Sequence, residues 1–370
     1  MPGIQDNLIS YFKHRVRSMM GGLYFGRPCW KAATWIFKPE EIKTDIPKQS
    51  ALPGTRDELI YFLHHAGLLQ RTCATTQSLF EQLAALRNRK VDLLIINLIP
   101  QMPESILPCV MTEFEFPVIS AAVDAIRNGL GDPPTVIAMD HHDCQSIRVW
   151  RKAAGTQRWR VCPMVNRYPL AAMPLIVRAL TGRTVSPGES PAEHGVVVVD
   201  PVGCWMFGQA LVTGKASERR PVQVFVAGSE PRVCAGRIGE TVGEFLHRAG
   251  ISVQSWQCIH NGMLAGTLVD LQSDHIQSWT ETISLRPIPD AEAVTDCIRC
   301  GWCVLLCPTS LNPAALFAAP EVSNASTTAL RLEARGCIDC GLCSYVCPSR
   351  LPLASTIKSI RKQLEAEGTF

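Results

Sequence analysis

Hydrophobic and polar positions in the middle of the chain follow two periods in turn. Short apolar runs predict buried strands at residues 91–96, 135–139, 159–163 and 195–199. Apolar positions at helical spacing predict helices at residues 79–86, 118–130, 144–153, 170–180 and 204–212. Strands that alternate with helices at short intervals are typical of a parallel sheet, so we predict an α/β domain over residues 59–220.

The segments on either side follow other patterns. Residues 1–20 place apolar positions at helical spacing among basic residues, which predicts an amphipathic helix, and residues 21–58 read as an arm or linker. Residues 221–289 predict a small α+β module, with strands at 222–227 and 257–260 and a helix at 239–250. Residues 290–370 form a separate helical module that a helix at 352–367 closes.

Charge and hydropathy exclude several classes of protein. The 370 residues include 36 Lys and Arg against 33 Asp and Glu, and this near balance gives no reason to expect a nucleic-acid partner. Every apolar run is shorter than the roughly 20 residues that cross a bilayer. Residues 1–7 lack the basic and apolar regions of a signal peptide. We therefore expect a cytoplasmic protein that is neither secreted nor an integral membrane protein.

Sixteen cysteines are the strongest chemical signal in the chain. Eight occur singly, and we interpret them as small apolar core residues. The other eight form two groups with the spacing C-x2-C-x2-C-x3-C-P, at Cys297, Cys300, Cys303 and Cys307 and at Cys337, Cys340, Cys343 and Cys347. This is the spacing of bacterial ferredoxins that hold two 4Fe-4S clusters. Zinc sites are the alternative, but they rarely use four cysteines with this spacing twice in one chain.

The spacing also predicts which cysteines share a cluster. Three thiolates two residues apart wrap one cube, whereas the fourth begins a helix that leads towards the other cube. The predicted ligands are Cys297, Cys300, Cys303 and Cys347 for cluster 1, and Cys337, Cys340, Cys343 and Cys307 for cluster 2. Two such clusters pass single electrons, and the surroundings of the clusters set their potentials.

The order of these parts resembles the RnfC family, whose members belong to the Rnf electron-transport complex. The residues that carry the resemblance are 168–169, 180–187, 195–199, 261–266, 296–303 and 340–352. Cobalamin reductases of bacterial microcompartments and, more distantly, the NADH-binding subunit of respiratory complex I share the layout. The resemblance implies that residues 59–220 derive from a domain that binds flavin mononucleotide (FMN) and NADH. It also implies that residues 221–289 are a soluble-ligand-binding β-grasp (SLBB) module.

Three loops depart from the family pattern where the cofactors would bind. The family's G-x-G-G-A-x-F-P loop corresponds to residues 67–76, which keep only Gly67, so side chains replace backbone that must approach a phosphate. Residues 97–103 keep Asn97 and Pro103 but neither family carboxylate, and residues 168–173 lack the family's Gly-Gly-Glu. We therefore predict that the α/β domain binds neither FMN nor NADH.

These patterns lead to one main hypothesis and two alternatives. The main hypothesis is an electron-transfer subunit that relays single electrons through two clusters between protein redox partners of a larger complex. The first alternative is an NAD(P)H-dependent reductase that retains a divergent flavin site. The second is a mainly structural component of a redox assembly. On each hypothesis, residues 1–20 offer a docking segment for a membrane surface, a protein shell or a partner protein.

Two pairs of adjacent histidines are weaker signals. Residues 140–144 read Asp-His-His-Asp-Cys and resemble a metal cluster on paper. We interpret them as a loop in which Asp143 caps the next helix, because adjacent histidines on a strand point to opposite faces. His64 and His65 receive the same interpretation.

Overall fold

The structure is a computed structural model that describes residues 34–35, 52–73, 76–155, 159–186, 189–253, 256–288, 294–319 and 331–366. The predicted helix at 1–20 lies outside these ranges, and of the arm at 21–58 only residues 34–35 and 52–58 are described. Within the arm, Thr34–Trp35 forms a two-residue strand, β1. None of the helices in the described part of the chain is long and apolar enough to cross a bilayer.

The first domain contains the predicted parallel sheet. Its four strands are β2 (Leu93–Leu98), β3 (Thr135–Asp140), β4 (Arg160–Met164) and β5 (Val196–Val199). They lie in the order β4-β3-β2-β5, and every neighbouring pair is parallel. The prediction of an α/β fold is therefore confirmed. The strand predicted at 91–96 begins two residues later, because the polar Asp92 precedes the buried run.

Six helices surround this sheet. They are α1 (Arg56–His65), α2 (Leu79–Leu86), α3 (Leu107–Gly129), α4 (Cys144–Ala154), α5 (Met173–Thr181) and α6 (Pro201–Thr213). The first turns of α2 and α4 are capped by Ser78 and Asp143, whose side chains accept backbone hydrogen bonds. Helix α3 begins before the predicted residue 118, because it continues through Pro117 with a kink at Glu115 instead of ending there.

The outer edge of β5 is covered by a side chain instead of another strand. Gln82 of α2 is fully buried. Its amide nitrogen donates to the Val198 carbonyl oxygen at 2.7 Å, and its amide oxygen accepts from the Val198 backbone N–H at 2.7 Å. This pair of hydrogen bonds satisfies backbone groups that an edge strand would otherwise leave open.

The second domain is a mixed sheet of six strands. Its other strands are β6 (Arg219–Val226), β7 (Arg232–Arg237), β8 (Trp256–His260), β9 (Thr267–Leu268) and β10 (Thr282–Pro287), in the order β1-β7-β6-β10-β8-β9. Helix α7 (Val242–Arg248) begins with a capping box between Thr241 and Glu244. The small α+β module is thus present. The sequence did not predict β7, β9 or β10.

Polar side chains join the two domains. Gln223 of β6 donates to the Glu104 carbonyl oxygen at 2.7 Å and accepts from the Ile106 backbone N–H at 2.7 Å. The fully buried Arg220 donates to the Thr72 carbonyl oxygen at 3.1 Å and to the Ser278 carbonyl oxygen. Because these groups are buried and hydrogen-bonded across the boundary, they hold the two domains in one arrangement, each bond contributing about 1 kcal/mol.

The third domain consists of short helices that repeat once. Helix α8 (Trp302–Leu305) and helix α9 (Pro313–Ala318) belong to the first half, and α10 (Leu342–Tyr345) and α11 (Leu353–Ala366) belong to the second. Apolar side chains from α9 and α11, including Leu316, Ile357 and Leu364, form the small core between the halves. The predicted closing helix at 352–367 is α11.

Candidate iron-sulfur centre

The third domain encloses two cavities, each lined by four cysteines. One is lined by Cys297, Cys300 and Cys303 of the first motif with Cys347 of the second. The other is lined by Cys337, Cys340 and Cys343 of the second motif with Cys307 of the first. The structure therefore groups the cysteines as predicted, and their role as cluster ligands stays a prediction.

The backbone around the two cavities follows the same path. Each motif has left-handed residues at matching positions, with φ between 55° and 76° at Arg299 and Asp339, Gly301 and Gly341, and Ser310 and Arg350. These turns aim backbone N–H groups at sulfur. The Asp339 amide donates to Cys337 Sγ at 3.4 Å, and the Leu311 amide donates to Cys307 Sγ at 3.3 Å.

The chemistry of the cavities suits soft metal ions with a positive charge. Burial raises the pKa of Cys337 to about 12 and that of Cys343 to about 11, so both thiols resist ionisation without a metal. A bound metal deprotonates a coordinating thiol, and thiolates select iron–sulfur clusters over hard cations. Arg361 donates to the Cys337 carbonyl oxygen at 2.9 Å and forms an ion pair with Asp339 at 2.7 Å, which fixes the loop around the second cavity. The residues present therefore fit 4Fe-4S clusters.

The two cysteine loops differ in exposure. Around the first cavity Cys297 and Cys300 are exposed, and Ile298 and Leu305 leave 64% and 72% of their surface open. The second loop is covered by the rest of the protein. The Tyr168 hydroxyl donates to the Cys340 carbonyl oxygen at 2.7 Å. The first cavity therefore faces solvent, whereas the second faces the α/β domain.

The mixed-sheet domain also touches the second loop. A Cβ atom placed on Gly341 would overlap the carbonyl oxygen of Leu264 and lie 2.7 Å from its carbonyl carbon, whereas one on Gly301 would meet nothing within 4 Å. Neither this contact nor that of Tyr168 is predicted by the sequence pattern. Tyr168 and Cys340 are 172 residues apart, and no local pattern signals such a contact.

The single glycine of the first degenerate loop has a structural explanation. Gly67 has φ of 77° and lies just after α1. There the Leu68 backbone N–H donates to the Leu63 carbonyl oxygen at 2.8 Å, which is the pattern of a glycine that ends a helix. Gly67 therefore terminates a helix, and its presence needs no phosphate nearby.

The other two loops bind to one another and to the neighbouring domain. Asn97 is fully buried and donates to the Ala171 carbonyl oxygen at 2.8 Å, so it links the second loop to the third. Glu104 follows the second loop and accepts from the Met263 backbone N–H at 2.8 Å. Burial raises the pKa of Glu104 above its ordinary value, although the hydrogen bonds from Met263 and Ser284 offset part of this rise. Both polar side chains are thus engaged in holding the structure together.

An open cavity of about 550 Å³ lies between the first loop, the start of α5 and the mixed-sheet domain. Its lining includes Gln70, Arg71, Met173, Gln277 and Trp279. The Arg71 guanidinium lies over the Trp279 ring, 5.4 Å from the ring centroid. The cavity contains long side chains where a cofactor-binding loop would present bare backbone.

The isolated cysteines are mostly internal. Cys73, Cys109, Cys204, Cys234 and Cys258 are buried, Cys162 is half-buried and Cys144 is exposed. Cys29 lies outside the described residues. Burial keeps the pKa of the Cys109 thiol above its ordinary value, which fits an inert core position.

Comparison with known proteins places the third domain in a defined class. Residues 296–351 match the family described as "4Fe-4S dicluster domain". The domain is therefore of the iron–sulfur type.

Longer matches are to RnfC proteins, the C subunits of ion-translocating oxidoreductases. The chain is 25% identical over 265 residues to the C subunit of the proton-translocating ferredoxin:NAD(+) oxidoreductase complex of Clostridium ljungdahlii, covering 70% of this chain and 57% of that protein. It is 27% identical over 182 residues to the C subunit of the Na(+)-translocating ferredoxin:NAD(+) oxidoreductase complex of Acetobacterium woodii, covering 48% and 41%. The resemblance to RnfC is confirmed, although the matches span little more than half of each relative at most.

Solved structures show the same fold at lower identity. A chain of an NAD+-reducing NiFe-hydrogenase in the air-oxidized state matches with a TM-score of 0.55 and 14% identity, covering 98% of this chain and 65% of that chain. In its H2-reduced state the TM-score is 0.58 at 13% identity, with coverages of 90% and 67%. These matches concern the fold alone.

Proposed function

We propose that the chain is an electron-transfer subunit that relays single electrons through two 4Fe-4S clusters between redox partners. The observation that carries the proposal is the pair of cavities, each lined by three cysteines of one motif and one of the other. Four thiolates per cavity are the ligand set of a cubane cluster. Cluster 1 is held by Cys297, Cys300, Cys303 and Cys347, and cluster 2 by Cys337, Cys340, Cys343 and Cys307.

The two cysteine loops differ in exposure, and this difference indicates which cluster would exchange electrons with a partner. Cluster 1 lies behind exposed cysteines and the apolar side chains of Ile298 and Leu305, so it is the point of contact with a protein partner. Cluster 2 lies behind Tyr168 and the α/β domain. The relatives' names describe subunits of oxidoreductase complexes, which supports partners that are other subunits of such a complex.

Iron analysis tests the cluster count and the ligands. Protein prepared without oxygen should contain about eight iron atoms and about eight acid-labile sulfides per chain. C300S or C340S should lower both numbers. C144S is the matched control, because Cys144 is an exposed cysteine outside both cavities. Full iron content in C300S and C340S alike, or zinc instead of iron in the wild type, would contradict the proposal.

We also propose that the α/β domain has lost FMN and NADH and serves as a scaffold. Support comes from Gly67, which ends a helix, and from Asn97 and Glu104, which bind neighbouring loops. Adding NADH and then dithionite to the anaerobic protein tests this. We expect the absorbance of the clusters, near roughly 400 nm, to bleach with dithionite alone. Bleaching by NADH would show a working hydride site.

A second candidate function rests on the open cavity beside Arg71 and Trp279. Its volume of about 550 Å³ is in the range of small-molecule sites, so an NAD(P)H-dependent reductase with a divergent flavin remains the competing proposal. Bound flavin after gentle purification, or flavin-dependent bleaching by NADH or NADPH, would favour it over the relay.

The remaining assignments follow from the resemblance to RnfC. We infer that the mixed-sheet domain is an SLBB-type β-grasp module. The relatives' names describe ion-translocating complexes, which supports a peripheral position at a membrane complex with residues 1–20 as the docking segment. Deleting residues 1–20 should then abolish membrane or partner co-purification while leaving the iron content unchanged.

A further inference from the structure

Two imidazoles and a carboxylate meet where strand β3 ends. Oδ1 of Asp140 lies 3.2 Å from Nδ1 of His142 and 3.4 Å from Nδ1 of His141. The imidazole centroids are 3.7 Å apart. The residues after Asp140 form a turn instead of continuing the strand, so the two adjacent histidines face the same side. The objection from alternating strand faces therefore does not apply.

Asp140 Oδ1 and His142 Nδ1 are spaced like two ligands of a tetrahedral metal site. Zinc lies about 2.0–2.1 Å from imidazole nitrogen and carboxylate oxygen, so two of its ligand atoms are about 3.3–3.4 Å apart. The distance of 3.2 Å from Asp140 Oδ1 to His142 Nδ1 agrees with this value, and one ligand atom from each of the three residues lies within 4.8 Å of the other two. Without an ion, the same 3.2 Å contact is a hydrogen bond between the imidazole and the carboxylate.

The surrounding residues hold the carboxylate in place. Asn166 donates its side-chain amide to Asp140 Oδ2 at 3.1 Å, and the His142 backbone N–H donates to Asp140 Oδ1 at 2.9 Å. The Met164 carbonyl oxygen accepts from the His141 backbone N–H at 3.0 Å and, at 3.2 Å, from His141 Nδ1 when that nitrogen carries the ring proton. In that tautomer Nε2 is the nitrogen of His141 that can bind a metal. Such outer contacts orient metal ligands and raise affinity.

We propose that Asp140, His141 and His142 form a binding site for a divalent transition-metal ion of the zinc type, separate from both cysteine cavities. Imidazole ligands favour zinc, nickel and copper over magnesium and calcium. The side chains of Asp140, His141 and His142 are 18%, 38% and 49% exposed, so an ion can enter and water can complete its coordination.

The test measures metal content in the untagged, cluster-loaded protein. Equilibrium dialysis without oxygen against micromolar Zn²⁺, followed by elemental analysis, should give about one zinc per chain with unchanged iron. D140N and H142Q should each bind zinc at least tenfold more weakly. N166A removes the amide that donates to the Asp140 carboxylate. It should weaken zinc binding about tenfold.

The matched control is H64Q/H65Q. His64 and His65 are also adjacent, but they lie in α1 with ring centroids 5.5 Å apart. This variant should bind zinc like the wild type. Three results would overturn the proposal: no bound zinc in the wild type, equal loss in H64Q/H65Q, or zinc that enters only as iron leaves. Because His142 is half exposed and H142Q should keep its iron, loss of zinc without loss of iron separates binding from folding.

Discussion

Replacing Gly341 by alanine tests whether the second cysteine loop packs on the mixed-sheet domain. Gly341 and Gly301 occupy matching positions, with φ of 74° and 76°. An alanine costs about 1 kcal/mol at either position, because an L-residue is strained in the left-handed region. Only at Gly341 does the new methyl group meet the backbone of Leu264. The pair therefore isolates the packing contribution from the conformational one.

The size of the packing contribution follows from the geometry. The added Cβ would lie 2.7 Å from the Leu264 carbonyl carbon, whereas carbon atoms in ordinary contact are about 3.5–4.0 Å apart. The loop after β8 must therefore move by about 1 Å. That loop is stiff, because the Gly266 backbone N–H donates to the Gly262 carbonyl oxygen at 2.9 Å and Gly262 packs on Met102. Overpacking of this kind costs about 1–3 kcal/mol.

We expect G301A to lose about 1 kcal/mol and G341A about 2–4 kcal/mol, once strain and overpacking are added. The assay is anaerobic urea unfolding followed by cluster absorbance. At an m-value of about 2 kcal/mol/M, the midpoint of G341A should lie about 1 M below that of G301A. Equal midpoints would refute the contact between Gly341 and Leu264, whatever the absolute losses.

Three further perturbations have expected outcomes. Y168F removes the hydroxyl that donates to the Cys340 carbonyl oxygen, so it should lose about 1 kcal/mol in the same titration; an unchanged midpoint would contradict this. Q82A leaves the Val198 N–H and carbonyl buried without partners. It should lower the free energy of unfolding, followed by tryptophan fluorescence in urea, by about 3 kcal/mol. A loss under about 1 kcal/mol would show that water replaces the amide. Burial, with a nearby positive charge, lowers the pKa of His260 from 6.5 to about 4. The unfolded state then binds the proton first, so stability is full above pH 6.5 and falls by about 2 kcal/mol at pH 5. H260Q should flatten that part of the pH profile, and parallel profiles would refute the effect.

Local sequence pattern was enough to predict the elements whose hydrophobic pattern is continuous. Helix α2 has the predicted bounds, because Ser78 caps its start and Glu81 in its first turn completes a capping box. The grouping of cysteines around each cavity agrees with the prediction from spacing. The predicted reason was wrong, because Cys307 and Cys347 follow the short helices α8 and α10 instead of beginning helices.

Elements that depend on tertiary contacts could not be predicted from local sequence pattern. Strand β7 has charged ends and a glycine, yet Gly236 is needed because a Cβ there would lie 2.8 Å from the Val222 side chain. The start of α3 was missed because Pro117 normally ends a helix. The contact of Tyr168 with Cys340, and the shared orientation of His141 and His142, depend on the folded chain.

The exchange of one cysteine between the two halves of the third domain has an evolutionary consequence. Each half supplies three cysteines to one cavity and one to the other, so a single half encloses no complete set. Two separate copies of the motif could complete both sets only as a swapped dimer. Joining the copies in one chain makes their encounter intramolecular and independent of protein concentration. After the duplication, the two copies would thus no longer function as separate chains. Loss of the cysteines of one motif would now leave both ligand sets incomplete.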